Sequence, residues 1–122
     1  MGDMRLGLVE ARFADIIWEN APLTTRELVN LCANALNWKR TTTYTVLKRL
    51  CQRGIFSMQD GEVTVLLSKD RFHTLQSEQF VNENFSGSLP DFIAAFASGK
   101  SLKPNDLERI QKILETCGEE SK

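Results

Sequence analysis

The sequence predicts a mostly α fold with a small β-hairpin: a winged helix-turn-helix followed by a C-terminal helical region. Three observations predict it. Apolar residues recur at helical spacing through the first fifty or so residues, the period changes to that of strands around Asp60-Gly61, and helical spacing returns from Lys69 onward.

The first helix is expected over residues 8–19, where Leu8, Val9, Phe13, Ile16 and Ile17 share a face and Pro22 closes the segment. The second opens on Thr24-Thr25-Arg26-Glu27. In such a capping box the threonine hydroxyl and the glutamate carboxylate each accept from a backbone N–H left unpaired at a helix start. Leu28, Leu31, Cys32 and Leu36 form its apolar stripe. The third helix is expected from about Thr41 to Arg53, stopped by Gly54, which tolerates the left-handed conformation that ends helices. Thr43, Val46, Leu47 and Leu50 fall on one face, and Thr41, Thr42, Tyr44, Thr45, Lys48, Arg49 and Gln52 on the other.

"IFSMQ" and "EVTVLLS" then read as strands joined at Asp60-Gly61, a dipeptide that accepts the positive φ angles of a two-residue hairpin turn. Three helices and a hairpin within some seventy residues are the layout of a winged helix. Beyond it, Phe72, Leu75, Phe80 and Val81 mark another helix. Ser88 is placed to cap a short one containing Phe92, Ile93 and Phe96, and Ser98-Gly99-Lys100-Ser101 makes a break. Pro104 begins a last helix with Asn105 and Asp106 near its positive end and an apolar stripe of Leu107, Ile110, Ile113 and Leu114. The expected division is a winged-helix domain over residues 1–70 and a C-terminal helical region over residues 71–122.

A chain of 122 residues holds one main core, and 28% of it is Leu, Ile, Val or Phe, enough to fold. The net charge of −1 is uneven. Residues 1–75 carry ten Lys/Arg and eight Asp/Glu, whereas residues 76–122 carry five and eight, which sets a basic half before an acidic one. Cys32, Cys51 and Cys117 are odd in number and widely spaced, fitting neither a disulfide framework nor a metal site, so a reducing cytoplasm is the expected compartment. There is no signal-peptide pattern and no run approaching 18 apolar residues, so membrane insertion is not expected.

The stretch "WKRTTTYTVLKRLCQRG" concentrates Lys39, Arg40, Lys48, Arg49 and Arg53 without a single acidic residue. A reader of double-stranded DNA needs cations at phosphates and short polar or forked side chains at base edges, on an element narrow enough for the major groove. The third helix offers both, with threonines small enough to allow close approach. Charge alone more often solvates a helix face, and winged helices also serve as protein-docking modules, so the reading rests on charge, helix order and hairpin together. The C-terminal aromatics Phe80, Phe85, Phe92 and Phe96 suit either an internal core or a dimer interface. A two-fold homodimer would present two recognition helices to successive turns of a palindrome. Enzyme chemistry is not expected: His73 is the sole histidine and stands in no catalytic or ligand motif, and no phosphate-cradling glycine loop occurs. No cofactor and no metal are expected.

The order "ARFADIIWE", "TTRELV", "NWKRTTTYTVLKRLCQRGIF" and "LKPNDLERIQKIL" resembles the penicillinase repressors, the BlaI/MecI/CopY type of bacterial winged-helix regulator. The resemblance implies a homodimer that represses transcription by occupying a promoter operator, which for a two-fold dimer is expected to be palindromic. It implies DNA contacts at Thr41, Thr42, Tyr44, Thr45 and Arg49, beside Lys39, Arg40 and Lys48, with the hairpin at Asp60 and Gly61 lying against the backbone. Dimerisation is implied through the C-terminal helices, where Phe80, Phe85, Leu89, Phe92, Ile93, Phe96, Leu107, Ile110 and Leu114 are the candidates. Antibiotic-responsive members are cleaved, through a sensor-linked protease, before a phenylalanine that follows asparagine. Ala95-Phe96 aligns there, with alanine in place of the asparagine. The copper-responsive branch carries a C-terminal cysteine cluster, where this chain has Cys117 alone.

Overall fold

The structure, a computed structural model, describes residues 4–99 and 101–120, with side chains described as far as residue 117. Lys100, part of the break expected before the last helix, lies outside the described residues. The elements run α1 (Leu8–Asn20), β1 (Leu23–Thr24), α2 (Thr25–Leu36), α3 (Arg40–Gln52), β2 (Phe56–Gln59), β3 (Glu62–Val65), α4 (Lys69–Phe85), α5 (Leu89–Ser98) and α6 (Pro104–Glu120). The chain divides into two compact units, Met1–Phe80 and Val81–Lys122. The division falls inside α4 because Phe72, buried, and Leu75, half-buried, pack with the core of the first unit.

In the first unit the predicted stripes face inward except at the start of α1, where Leu8 and Val9, expected on the inner face, are 82% and 49% exposed because the packed part of the helix begins only at Phe13. Phe13, Ala14 and Ile17 from α1, Leu28 and Cys32 from α2, Val46, Leu47 and Leu50 from α3, and Ile55, Phe56 and Val63 around the hairpin form one core. A fully buried Leu, Ile or Phe contributes about 1.5 to 3 kcal/mol relative to its exposed state, so this set outweighs any polar contact in the unit. The capping box forms as the sequence predicts: the Thr24 hydroxyl accepts from the Glu27 N–H at 3.0 Å and the Glu27 carboxylate accepts from the Thr24 N–H at 2.9 Å. Asn37 ends α2 in the left-handed region at φ 56°, a cap with no glycine to announce it.

Asp60 and Gly61 take φ 53° and 76°, the paired positive angles of a tight hairpin turn. The hairpin is one strand short of the whole sheet. β1 adds to β3, giving an antiparallel order β1-β3-β2 with Leu23 opposite Val63 and Phe56 opposite Val65. Two residues are too few to carry a strand period, so β1 leaves no trace in the sequence. Its effect is mechanical: the Thr25 N–H at the start of α2 donates to the Gly61 carbonyl at 2.9 Å, tying the wing turn to the second helix. Trp18 closes the other side, its indole N–H donating to the Leu67 carbonyl at 3.0 Å and its ring tilted against Phe56 and Phe72 at 5.5 and 5.4 Å.

In the second unit, α4 ends through Ser86 and Gly87, both at positive φ, and the Gly87 N–H reaches back to the Val81 carbonyl. Ser88 then caps α5, as predicted, by accepting from the Asp91 N–H at 3.2 Å. Phe85 meets Phe92 edge to face at 5.5 Å, and Phe92 meets Phe96 at 6.4 Å. No residue of α5 is buried, nor is any described side chain of α6. No helix among the described residues is long and apolar enough to cross a membrane.

Candidate nucleic-acid interface

The inward stripe of α3 decides what its outer face displays. Thr43, Val46, Leu47 and Leu50 are buried, which turns Thr41, Thr42, Thr45, Lys48 and Arg49 outward, with Tyr44 half-buried and Lys39 and Arg40 exposed at the helix start. Thr43 is the one polar residue in the core among those described; its hydroxyl donates to the Lys39 carbonyl at 3.3 Å. Burial pushes the neighbouring Cys32 thiol above its ordinary pKa, and a hydrogen bond with Thr43 opposes the rise. Thr45 spends its proton on the Thr41 carbonyl at 2.9 Å, leaving its oxygen as an acceptor toward solvent.

The outer face has three strips. Thr41, Thr45 and Lys48 form its centre. Arg40 and Tyr44 flank it toward α2: the guanidinium carbon lies 5.5 Å from the Tyr44 ring centroid. A hydrogen bond from Thr25 holds the phenol below its usual pKa, with Arg40 adding to the effect. Arg49 lies on the opposite edge, toward α1, where its guanidinium meets Glu10 at 3.0 Å. Nearby, Arg53 donates to the Arg5 carbonyl.

The Glu10 contact has no sequence signal, since 39 residues separate the partners. Glu10 works twice, its other oxygen accepting from the Gly7 N–H at 3.1 Å to secure the start of α1. That N–H, more than Arg49 or Arg53, holds the Glu10 carboxyl below its usual pKa against the opposing cost of burial. A carboxylate whose folded pKa is depressed stabilises the fold above its unfolded pKa, and the stabilisation is lost as pH falls through the folded value. Glu10→Gln is therefore expected to lower the melting temperature slightly at pH 7, by the equivalent of less than about 1 kcal/mol for so exposed a pair, and to match the parent once acidification has protonated Glu10. Equal gaps at pH 7 and pH 3 would show that the charge contributes nothing.

Asp60 and Gly61 sit exposed at the wing tip. Residues 54–68 hold Asp60 and Glu62 but no Lys or Arg, so a phosphate beside the wing would be met by N–H groups or by the Ser57 and Thr64 hydroxyls rather than by cations. Of the apolar C-terminal candidates, Phe80, Leu89, Ile93, Phe96, Leu107 and Leu114 are 40–55% exposed, while Phe85, Phe92 and Ile110 are half-buried. Ile113 joins them at 56%. Ala95 and Phe96 are both exposed within α5. Among the described residues, no three His, Cys, Asp or Glu side chains group as metal ligands do.

The family model described as penicillinase repressor matches residues 6–116 of the chain. No curated protein matches it.

Proposed function

The chain belongs to the penicillinase repressor family of winged-helix, DNA-binding transcriptional regulators, and from that membership we propose that it acts as a homodimer on a palindromic operator, with α3 as the reading element. The observation that carries the proposal is the outer face of α3, which displays threonines and cations over a segment without one acidic residue. Thr41, Thr42 and Thr45 address base edges or thymine methyls, and Lys39 and Lys48 meet phosphates. Arg49 approaches the DNA from a position held by Glu10. The exposed apolar stripes of α5 and α6 support dimerisation, because a monomer would leave them in water. In α6, Leu107, Ile110 and Leu114 follow the 3-4 spacing by which two helices interlock.

If a sensor-linked protease relieves repression, Ala95-Phe96 is the bond that aligns with the family's cleavage site, although alanine there replaces the asparagine that the site carries. A protease needs an extended substrate, and α5, with no buried residue, has little to hold it closed against local unwinding.

Selection from a random duplex pool at near-physiological salt tests the reading. An enriched inverted repeat with half-sites about one helical turn apart is the expected result. A folded dimer that enriches nothing would overturn it and point to α3 as a docking face for an acidic protein.

A further inference from the structure

We propose that the cleft between α2 and the start of α3 is a phosphate clamp for the backbone of the bound duplex, with Arg26 and Arg40 as its charged donors and Asn30 and Tyr44 as its neutral ones. The proposal rests on the DNA-binding reading and adds residues of α2 that the recognition helix does not include.

The cleft, of about 230 Å³, is lined by Thr25, Arg26, Val29, Asn30, Arg40 and Tyr44. Two pairs at four-residue spacing face each other across it, Arg26 and Asn30 on α2 and Arg40 and Tyr44 on α3, each on one side of its helix. No carboxylate lines it. Guanidinium groups only donate, and a cleft that gathers two of them with an amide and a phenol is built for an oxyanion. Two of the donors are also held together, since Arg40 lies over the Tyr44 ring with its guanidinium carbon 5.5 Å from the ring centroid. On the other edge of α3 the arginines have acceptors within the protein, the Glu10 carboxylate and the Arg5 carbonyl.

A free phosphate would be recognised by the same chemistry. Position favours the DNA backbone: Arg40 and Tyr44 directly precede Thr41 and Thr45 in the chain, so a duplex whose groove admits the centre of α3 brings a phosphate strand along its flank.

The test uses the full-length protein with Arg26→Ala, Tyr44→Phe and, as a comparator on the central strip, Lys48→Ala. Affinity is measured over a range of salt for the selected operator and for a scrambled duplex of equal length. Arg26→Ala is expected to weaken both by the same factor, about tenfold, and to reduce the slope of log affinity against log salt by about one. Tyr44→Phe is expected to weaken both with little change in slope. If Arg26→Ala and Tyr44→Phe match the parent while Lys48→Ala is weakened, the clamp is wrong and the DNA reading stands. Parent protein that binds neither duplex overturns the DNA reading itself. Loss confined to the operator would make Arg26 a base reader, which also overturns the clamp. So would saturable binding of inorganic phosphate that Arg26→Ala removes with DNA affinity intact, which would assign the cleft to a free anion.

Discussion

Ile93→Asp is expected to leave the protein folded, turn it into a monomer at micromolar concentration, and reduce operator affinity by about 10² to 10⁴. Ile93 is 40% exposed on α5, and no residue of that helix is buried, so the substitution removes little from the core. Leu89, Ile93 and Phe96 follow one another at spacings of four and three, a stripe down one side of the helix that is 40–55% exposed. In the proposed dimer that stripe would be dry, and an unpaired carboxylate there would cost several kcal/mol, comparable to what a modest interface contributes. The loss on DNA follows from linkage. Once one half-site is occupied, the partner protomer finds the second at an effective concentration far above its free one, which raises avidity by about 10² to 10⁴. Sedimentation equilibrium and operator titration measure the two effects, and unchanged circular dichroism shows that the fold survives. A variant that still sediments as a dimer and still binds the operator would remove α5 from the interface.

The candidate site was legible where one stretch of chain contains the whole signal. The Thr24 and Glu27 box, the Gly54 stop, the Asp60-Gly61 turn and the two-faced period of α3 each need only a few consecutive residues, and each stands where the sequence puts it. What escaped depends on pairing at a distance. β1 is a strand only because β3 lies beside it. Trp18 looks like one more apolar residue of α1 until its indole finds the Leu67 carbonyl. Glu10 reads as a first-turn acid, which it is, yet the same carboxylate fixes Arg49. Arg26 and Asn30 face solvent on an ordinary helix surface until α3 brings Arg40 and Tyr44 opposite them. Charge density singled out α3 as the candidate reading element, but only the packed structure sorts its cations into those held by protein acceptors and those lining a cleft with neutral donors.

Phe56→Ala is expected to destabilise the first unit by about 3 to 5 kcal/mol, the range for deleting a buried phenylalanine without refilling its space. A domain of this size has only about 5 to 15 kcal/mol in total, so the melting temperature should fall by more than about 10 °C. Phe56 is fully buried at the root of the wing, its ring tilted against Trp18, directly opposite its strand partner Val65 at the open end of the hairpin. Trp18 in turn holds Phe72, the first buried residue of α4. One cavity therefore loosens α1, the wing and the beginning of α4 together, although Phe56 faces no proposed DNA contact. Operator binding should decline in proportion to the unfolded fraction and recover on moderate cooling, whereas loss of a phosphate contact, as in Lys48→Ala, persists in fully folded protein. Phe56→Leu separates volume from aromatic packing: it retains most of the buried bulk and should cost less than half as much. Denaturant unfolding of both variants, followed by operator titration at two temperatures, distinguishes a scaffold residue from a reading residue. Binding that stays weak in Phe56→Ala under conditions where the variant is fully folded would mean that the wing root also sets the geometry with which α3 meets DNA.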